Sequence, residues 1–545
     1  MAILNILLDL QFLFLLSLFF TDYSFFFKKG VTSLSIQTVI FGFFLILRWF
    51  LDRKSFYQLL VVKVYKKVCG FTDNKILFYI VILFILLFSL LGLSSHFSFN
   101  TSGIDMGGMD NALWNLAHGN SFISSVEGNI NYFGIHFWPI VYLIVPFYLV
   151  CPNGLVLIFL QVLAGAIAIF PIYFIAKDRL KERMLIFAFV FSYFICRALR
   201  GIISNDFHTD SFLIPLSLFA YYFLSQKKNF AAIICFLLML MCKENAAFLL
   251  AGFGLFLIIF YKRYIFGAGL IIVSIFWWVI ATNIIIPHFD NSHKFWGLRW
   301  LPYGQTYSQN IGAIIKNPLL LVNLFFNPEK LIFYLYIFGS FGYLSFASPS
   351  HFVLFLAPLL PQVITSAGKV SMLDHAAHYQ AHTLPFIIIS AIYGCGYALG
   401  LMDRKLATST HRQHVLFLSL SIIISALLFY GKSDGHRLAK SLRSAKEREV
   451  LTILSYLKAI PADASVCAVN RLMPHLSDRK YLYMWERSNE IRNNAQYVVL
   501  YERLLEADDM QFSSIINKLQ NKGYKAVVAD IDRGFFILKR PAQLI

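Results

Sequence analysis

The feature that most constrains this chain is a succession of apolar runs of membrane-spanning length. A spanning helix needs roughly 20 predominantly apolar residues, with about 17 tolerated. Candidate runs fall at 3–20, 31–51, 76–95, 154–176, 184–203, 211–226, 230–242, 246–261, 264–286, 331–347, 350–366, 383–402 and 414–430. Within hydrocarbon every backbone N–H and C=O must be satisfied inside the segment, so such runs fold as helices. Composition agrees: only 14% of the 545 residues are charged, against about 25% in soluble domains. The net charge of +18 would suggest a nucleic-acid partner in a soluble protein. Here Lys and Arg sit in short clusters between apolar runs, where they act as topology determinants, and no nucleic-acid partner is expected.

Basic loops face the cytoplasm. Arg53, Lys54, Lys63, Lys66, Lys67 and Lys75 place one loop inside, whereas loop 96–137 contains no Lys or Arg and is assigned outside. Lys177, Arg179, Lys181 and Arg183 bring the chain back inside. Only one crossing is then allowed between 137 and 177. The short run 138–150, bracketed by Pro139 and Cys151-Pro152, is therefore read as a half-membrane or interfacial segment. Further along, 204–210, 243–245, 287–330 and 373–382 fall outside, while Lys227-Lys228, Lys262-Arg263, Arg404-Lys405 and Arg412 fall inside. The last crossing leaves 431–545 outside; the exceptions to the scheme are Lys28-Lys29 and the basic outer domain itself.

Residues 431–545 differ in composition from the rest. Runs 464–470 and 495–501 are β-rich, 510–524 has helical periodicity ending at Gly523, and 525–540 reads as two strands around Asp532-Arg533-Gly534. The fold class expected is an all-α polytopic membrane protein of about 13 transmembrane helices with a small C-terminal α/β soluble domain. Its divisions are 1–75, an N-terminal extension with a cytoplasmic loop, then 76–430, the transmembrane domain, then 431–545. The seven Cys form no CxxC, so neither a disulfide framework nor a cysteine metal site is expected. The apolar N-terminus lacks a basic n-region and reads as a retained helix.

Chemistry-bearing residues gather in the outside loops. Asp105 and Asp110 flank a Gly-Gly pair, and DNALWNLAHG has the pattern of an amphipathic helix that Asp110 could cap. Two readings compete: Asp105 as general base with Asp110 as metal ligand or substrate anchor, or loop hydrogen bonding and capping. His136 stands where the chain re-enters the membrane. Arg197 and Arg200, near a helix end, read either as snorkelling cations or as a phosphate clamp. Asp206 and His208 are candidates for a divalent metal. Lys243-Glu244, at the tip of a helical hairpin, is either a self-neutralising pair or a phosphate-binding Lys oriented by Glu244. His375, His378 and His382 recur at i, i+3 and i+7 beside Asp374, a weak metal pattern that exposed loop histidines also produce. What unites these residues is that charges elsewhere in the chain assign all of them to one side.

The segments GIDMGGMDNALWNLAHGNSF, YFGIHFWPIVYLIVPFY, DFHTDSFLIPLSLFAYYFL, CKENAAFLLAGFGLFL, HYQAHTLPF and ASVCAVNRLMPHLSDRKYLYMW resemble the membrane-protein family called domain of unknown function 2079. That family is similar to the glycosyltransferase-C superfamily. The resemblance covers about residues 80–540. It implies a helical scaffold with an outer-face cavity, in a bacterial inner membrane, and a sugar donor linked to a polyprenyl phosphate. It also implies that Asp105 is the first-loop acid, base or ligand to Mg or Mn, with Asp110 as the second acid. His208 and His378 would complete the metal site, and Arg197, Arg200 and Lys243 would meet the lipid phosphate. His136, Glu244 and Tyr379, the last in HYQAHTLPF, would contact substrate. Where the family commonly has an acid after Lys-Glu, this chain has Asn245. The alternatives are a non-catalytic transporter or flippase for a lipid-linked molecule, or a membrane scaffold whose outer domain binds a partner.

Overall fold

The computed structural model describes residues 70–126, 128–204, 206–290, 302–304, 306–364, 377–406, 410–429, 448–486, 495–505 and 512–541. The expected spans at 3–20 and 31–51, Lys28-Lys29, the basic cluster 53–67, Asp374 and His375 lie outside the described residues.

Among the described residues, five helices are long and apolar enough to cross a membrane: Asp73–Phe97, Leu155–Leu180, Tyr264–Phe289, Leu384–Lys405 and His411–Phe429. Arg183–Phe194 and Arg197–Ser204, bent by 44°, make up a sixth if taken as one span. Shorter apolar helices, Asn229–Cys242, Ala246–Ile259 and Pro349–Ile364 among them, pack with these. The molecule is a membrane protein by this architecture. Phe78, Tyr79, Leu83 and Leu86 on the first helix, and Ile272, Ile275 and Phe276 on Tyr264–Ile280, are exposed side chains suited to lipid.

Four of the long helices connect two distinct sets of loops. Asp73 accepts from Arg183 Nε (2.7 Å) and Tyr173 Oη (2.6 Å), at one end of its helix. At the other end the carbonyl of His96 lies 3.0 Å from His475 Nε2. Leu155–Leu180 starts beside Asp110 and ends beyond Asp178, which accepts from Gln226. Arg263, bonded to Asn229, precedes a helix whose far end, Phe289, abuts Gly134. Leu384–Lys405 runs from His382 to Asp403, which pairs with His411. The loops that the charge rule groups together are therefore grouped in space. Helices of 22–26 residues span about 33–39 Å at 1.5 Å per residue, enough to separate the two sets across a bilayer.

Two runs depart from simple spans. Within 138–150 the helix is Val141–Val150, only 10 residues. It is about 15 Å long against a hydrocarbon core of about 30 Å. The run 331–347 is not one helix, contrary to expectation. Pro328–Gly339 ends there, Gly342 and Tyr343 take left-handed backbone (φ +64° and 57°), and a 3-10 turn, Leu344–Ala347, follows.

Among the described residues, the C-terminal part forms a five-stranded sheet in the spatial order Leu482–Met484, Val466–Ala468, Tyr497–Tyr501, Phe535–Lys539, Lys525–Asp530. The strands are β3 Val466–Ala468, β4 Leu482–Met484, β5 Tyr497–Tyr501, β6 Lys525–Asp530 and β7 Phe535–Lys539, after a β1–β2 ribbon (Ile123–Ser124, Ile130–Asn131) in the first loop. β3 runs parallel to β4 and β5, and β7 runs antiparallel to β5 and β6. The β6–β7 turn closes at Gly534 (φ +63°), the left-handed position that glycine adopts without cost. Phe99 and Val126 of the first loop are buried in this domain's own core, beside residues such as Val466 and Leu472.

Candidate active site

Asp105 stands on a single π turn, Gly103–Gly107, a rare conformation frequent at functional sites. The turn is held from three directions. Ser102 Oγ accepts from Ile104 N (3.1 Å), Ser102 N donates to Asp206 Oδ1 (2.9 Å), and Gly103 N donates to Asn470 Oδ1 (2.6 Å). Held this way, the Asp105 side chain remains 50% exposed, with Oδ1 at 3.9 Å from His208 Nε2.

His208 is itself fixed. Its Nδ1 lies 2.9 Å from the Asp206 carbonyl oxygen, which can only accept. Nδ1 therefore carries the proton of the neutral ring, and Nε2, the basic nitrogen, faces Asp105. The ring stacks on His378 at 3.6 Å, and its backbone N–H donates to Gln161 Oε1 (2.9 Å). Gln161 is fully buried and also donates to the carbonyl of Ile203 (3.1 Å). Burial pushes the Asp206 carboxyl up to about 7, the Asp105 charge adds to the rise, and the Ser102 N–H opposes it.

Behind this pair lies a buried ionic group. Lys243 Nζ is 3.3 Å from Asp210 Oδ2 and 5.6 Å from the centre of the Tyr379 ring. His382 Nε2 faces the other Asp210 oxygen at 3.4 Å. Burial alone would raise Asp210, but Lys243, with His382, His378 and His208 around it, holds the carboxyl well below its ordinary value. Burial lowers both His378 and His382, so Lys243 is the cation that decides. Glu244 does not pair with Lys243 in the way the sequence suggests. Its Oε1 is 2.7 Å from His136 Nδ1, and its Oε2 accepts from Phe137 N (3.1 Å). Lys243 and Glu244 thus engage different loops, Lys243 at Asp210 and Glu244 at His136 and Phe137. Arg197 lies over the Tyr336 ring (5.7 Å), and Arg200 is buried on the same helix, which packs on the turn His378–His382.

Asp110 belongs to a different constellation from Asp105. The helix Gly108–Ala117 begins after Gly107, so Asp110 is in its first turn and does not cap it. Its carboxylate is buried, accepts from Tyr148 Oη (2.7 Å) and Ser477 Oγ, and lies against Gly154. It joins the helix Val141–Val150, the first loop and the C-terminal domain. Beside it Asn111 donates to the Arg479 carbonyl (2.7 Å) and accepts from Ser125 N (3.0 Å). Burial pushes Asp110 up to about 6, despite the hydrogen bonds from Ser477 and Tyr148. A raised carboxyl favours the protonated fold. Its contribution is complete below pH 3.8 and is lost as pH rises through 6. The rise from 3.8 to about 6 corresponds to about 3 kcal/mol at most. Thermal unfolding of wild type and Asp110→Asn between pH 5 and 8 should therefore differ in slope, the wild type losing the extra stability as pH rises.

Among the described residues, no three His, Cys, Asp or Glu side chains are grouped to hold a metal ion. The expected ligands are divided: both Asp110 oxygens are engaged by Tyr148 and Ser477, and His378 stacks on His208 face to face. The set Asp105, Asp110, His208 and His378 does not fit a metal cage as it stands.

The structure brings together Asp105, His208 and His378, with Lys243, Tyr379 and the turn beneath Arg197 and Arg200 adjoining, and it joins His136 to Glu244. Sequence reasoning missed Gln161 and Asn470, and it named His382 only within a weak histidine pattern. Gln161 left a signal, being the one polar side chain in helix Leu155–Ile167. Asn470 left none.

The model of the family described as "Predicted membrane protein (DUF2079)" matches residues 95–531, which include every residue of this site. No curated protein matches the chain. Among solved structures, the chain is similar to ArnT from Cupriavidus metallidurans bound to undecaprenyl phosphate, with a TM-score of 0.48 and 12% identity, over 85% of this chain and 98% of that one. The apo state of the same protein gives 0.47 and 12%, over 84% and 97%. With the family model matching most of its length, the chain belongs to the DUF2079 family of membrane proteins.

Proposed function

We propose that this protein is a membrane glycosyltransferase that moves a sugar from a polyprenyl-phosphate donor to an acceptor hydroxyl at the outer face of the bacterial inner membrane. The observation that carries this reading is the half-exposed Asp105 carboxylate on a triply held turn, with the basic nitrogen of His208 beside it. A carboxylate so placed suits a general base. Asp105 takes the acceptor hydroxyl proton as the acceptor oxygen attacks the anomeric carbon. The bond from that carbon to the phosphate oxygen breaks, its electron pair leaves on the phosphate, and polyprenyl phosphate departs. His208 Nε2 is positioned to share the proton that Asp105 receives. Arg197 and Arg200 meet the phosphate charge in this reading, which is where fixed cations contribute most. Lys243, committed to Asp210, supports the wall from behind with Tyr379, while Glu244 orients His136 toward substrate. No step is routed through a divalent metal, because the expected ligands are split between two places.

The test is chemical analysis of membrane lipids. In cells lacking the protein, or carrying only Asp105→Asn, a polyprenyl-phosphate-linked sugar should accumulate relative to cells carrying wild type. Identical lipid-linked sugar pools in all three would contradict the proposal.

A further inference from the structure

We infer that the C-terminal α/β domain is a working part of the active site, with Asn470 as a positioning residue that sets the Asp105 turn through the amide of Gly103. The inference rests on the reading of Asp105 as the base and adds what determines where that base stands.

Asn470 lies two residues beyond the end of β3, in the turn Asn470–His475. β3 is the middle one of three parallel strands, with β4 on one side and β5 on the other. In open α/β sheets the crevice beyond the carboxyl ends of parallel strands, where connections depart to opposite sides, is where ligands bind. Here that place is taken by the chain's own catalytic turn. Asn470 Oδ1 accepts from Gly103 N at 2.6 Å, and Asn470 N donates to Glu486 Oε1 (3.2 Å), just past the end of β4. Arg471 Nη1 donates to the Asn100 carbonyl (2.6 Å), and His475 Nε2 lies 3.0 Å from the His96 carbonyl. Phe99, buried in the domain core, and Ile104, packed against it, flank the bonded amide. The domain therefore holds the turn as it would hold a bound peptide.

The fit is close enough to demand glycine. A Cβ on Gly103 would come within 2.6 Å of the Asn470 carbonyl oxygen and 2.7 Å of Met473 Sδ. On the opposite side the same turn is tied to the membrane part by the Ser102 N–H to Asp206 bond. Asp105 thus hangs between two anchors, one from each part of the molecule. Loss of the Asn470 anchor leaves the chemical groups in place but removes one constraint on their position.

The experiment uses the full chain in lipid nanodiscs, with donor turnover and hydrogen exchange measured on Asn470→Ala, Asn470→Asp, Gly103→Ala and Asp105→Asn. A displacement of about 1 Å at a reacting group can cost about 10²-fold. Asn470→Ala is expected to lower kcat by that order with KM little changed, and to speed exchange of the 103–107 amides while β3 and β5 stay protected. Asn470→Asp, which keeps an acceptor oxygen toward Gly103 N, should recover most of both. Gly103→Ala attacks the same contact from the loop side and should reproduce the kcat loss, which keeps the test open if Asn470→Ala destabilises the domain. Full turnover in Asn470→Ala and Gly103→Ala, with turnover lost in Asp105→Asn, would overturn this inference and leave the glycosyltransferase reading standing. If Asp105→Asn also keeps full turnover, that reading fails. The exchange data then decide alone, and unchanged protection of 103–107 in Asn470→Ala would refute the positioning role.

Discussion

Asp105→Asn is expected to reduce sugar transfer by about 10²- to 10⁴-fold, the usual contribution of a positioned general base. The substitution is nearly isosteric, and the turn is held by Ser102, Asp206 and Asn470 rather than by the carboxylate. Membrane insertion and thermal stability should therefore stay close to wild type, separating loss of chemistry from loss of fold. A second signature accompanies it. The Asp105 charge contributes to the raised value of Asp206, near 7. Removing that charge should move Asp206 downward, with the larger effect of burial remaining. Infrared detection of the protonated carboxyl across pH 5 to 8 would follow the shift. No change in transfer rate would remove Asp105 from the mechanism.

Lys243→Met is expected to be the most destabilising single change at the site. It leaves the Asp210 carboxylate, 1% exposed, without the ammonium that holds it ionised. Breaking a buried pair from one side costs about 3–5 kcal/mol, because the remaining charge stays buried. His382, held below its ordinary pKa by burial, does not substitute as a cation at neutral pH. The double variant Lys243→Met with Asp210→Asn removes both charges and should recover much of the loss. Thermal unfolding of the single and double variants in detergent measures the coupling. If Lys243→Met alone is as stable as wild type, the pair is not the support assigned to it here.

Hydropathy and charge made the membrane architecture readable from the sequence. Run length identified the long helices, and the loop without Lys or Arg, between two basic clusters, leaves one crossing for the two runs 138–150 and 154–176. The same charges assigned Asp105, His136, His208, Lys243 and His378 to one side, and the structure gathers them on loops that share contacts. What stayed hidden is pairing at long range. Hydropathy carries no information on which of two adjacent acids meets Ser477, 367 positions away, or that Gly103 binds Asn470. Those contacts arise from docking of a soluble domain and leave no periodic trace. For that reason the burial of Asp110 against Tyr148 and Ser477 is not legible in the sequence. The break at Gly342 and Tyr343 was marked by the glycines of IFGSFGYL, but the continuous apolar character of 331–347 outweighed them.

The most direct measurement of the central claim is a cryo-EM structure of the full chain in nanodiscs containing polyprenyl phosphate. The phosphate headgroup is expected beside Asp105 and His208, within reach of Arg197 and Arg200, with the prenyl chain leaving toward lipid. A headgroup bound at the opposite set of loops, around Asp73 and Arg183, or no bound lipid at saturating concentration, would contradict it.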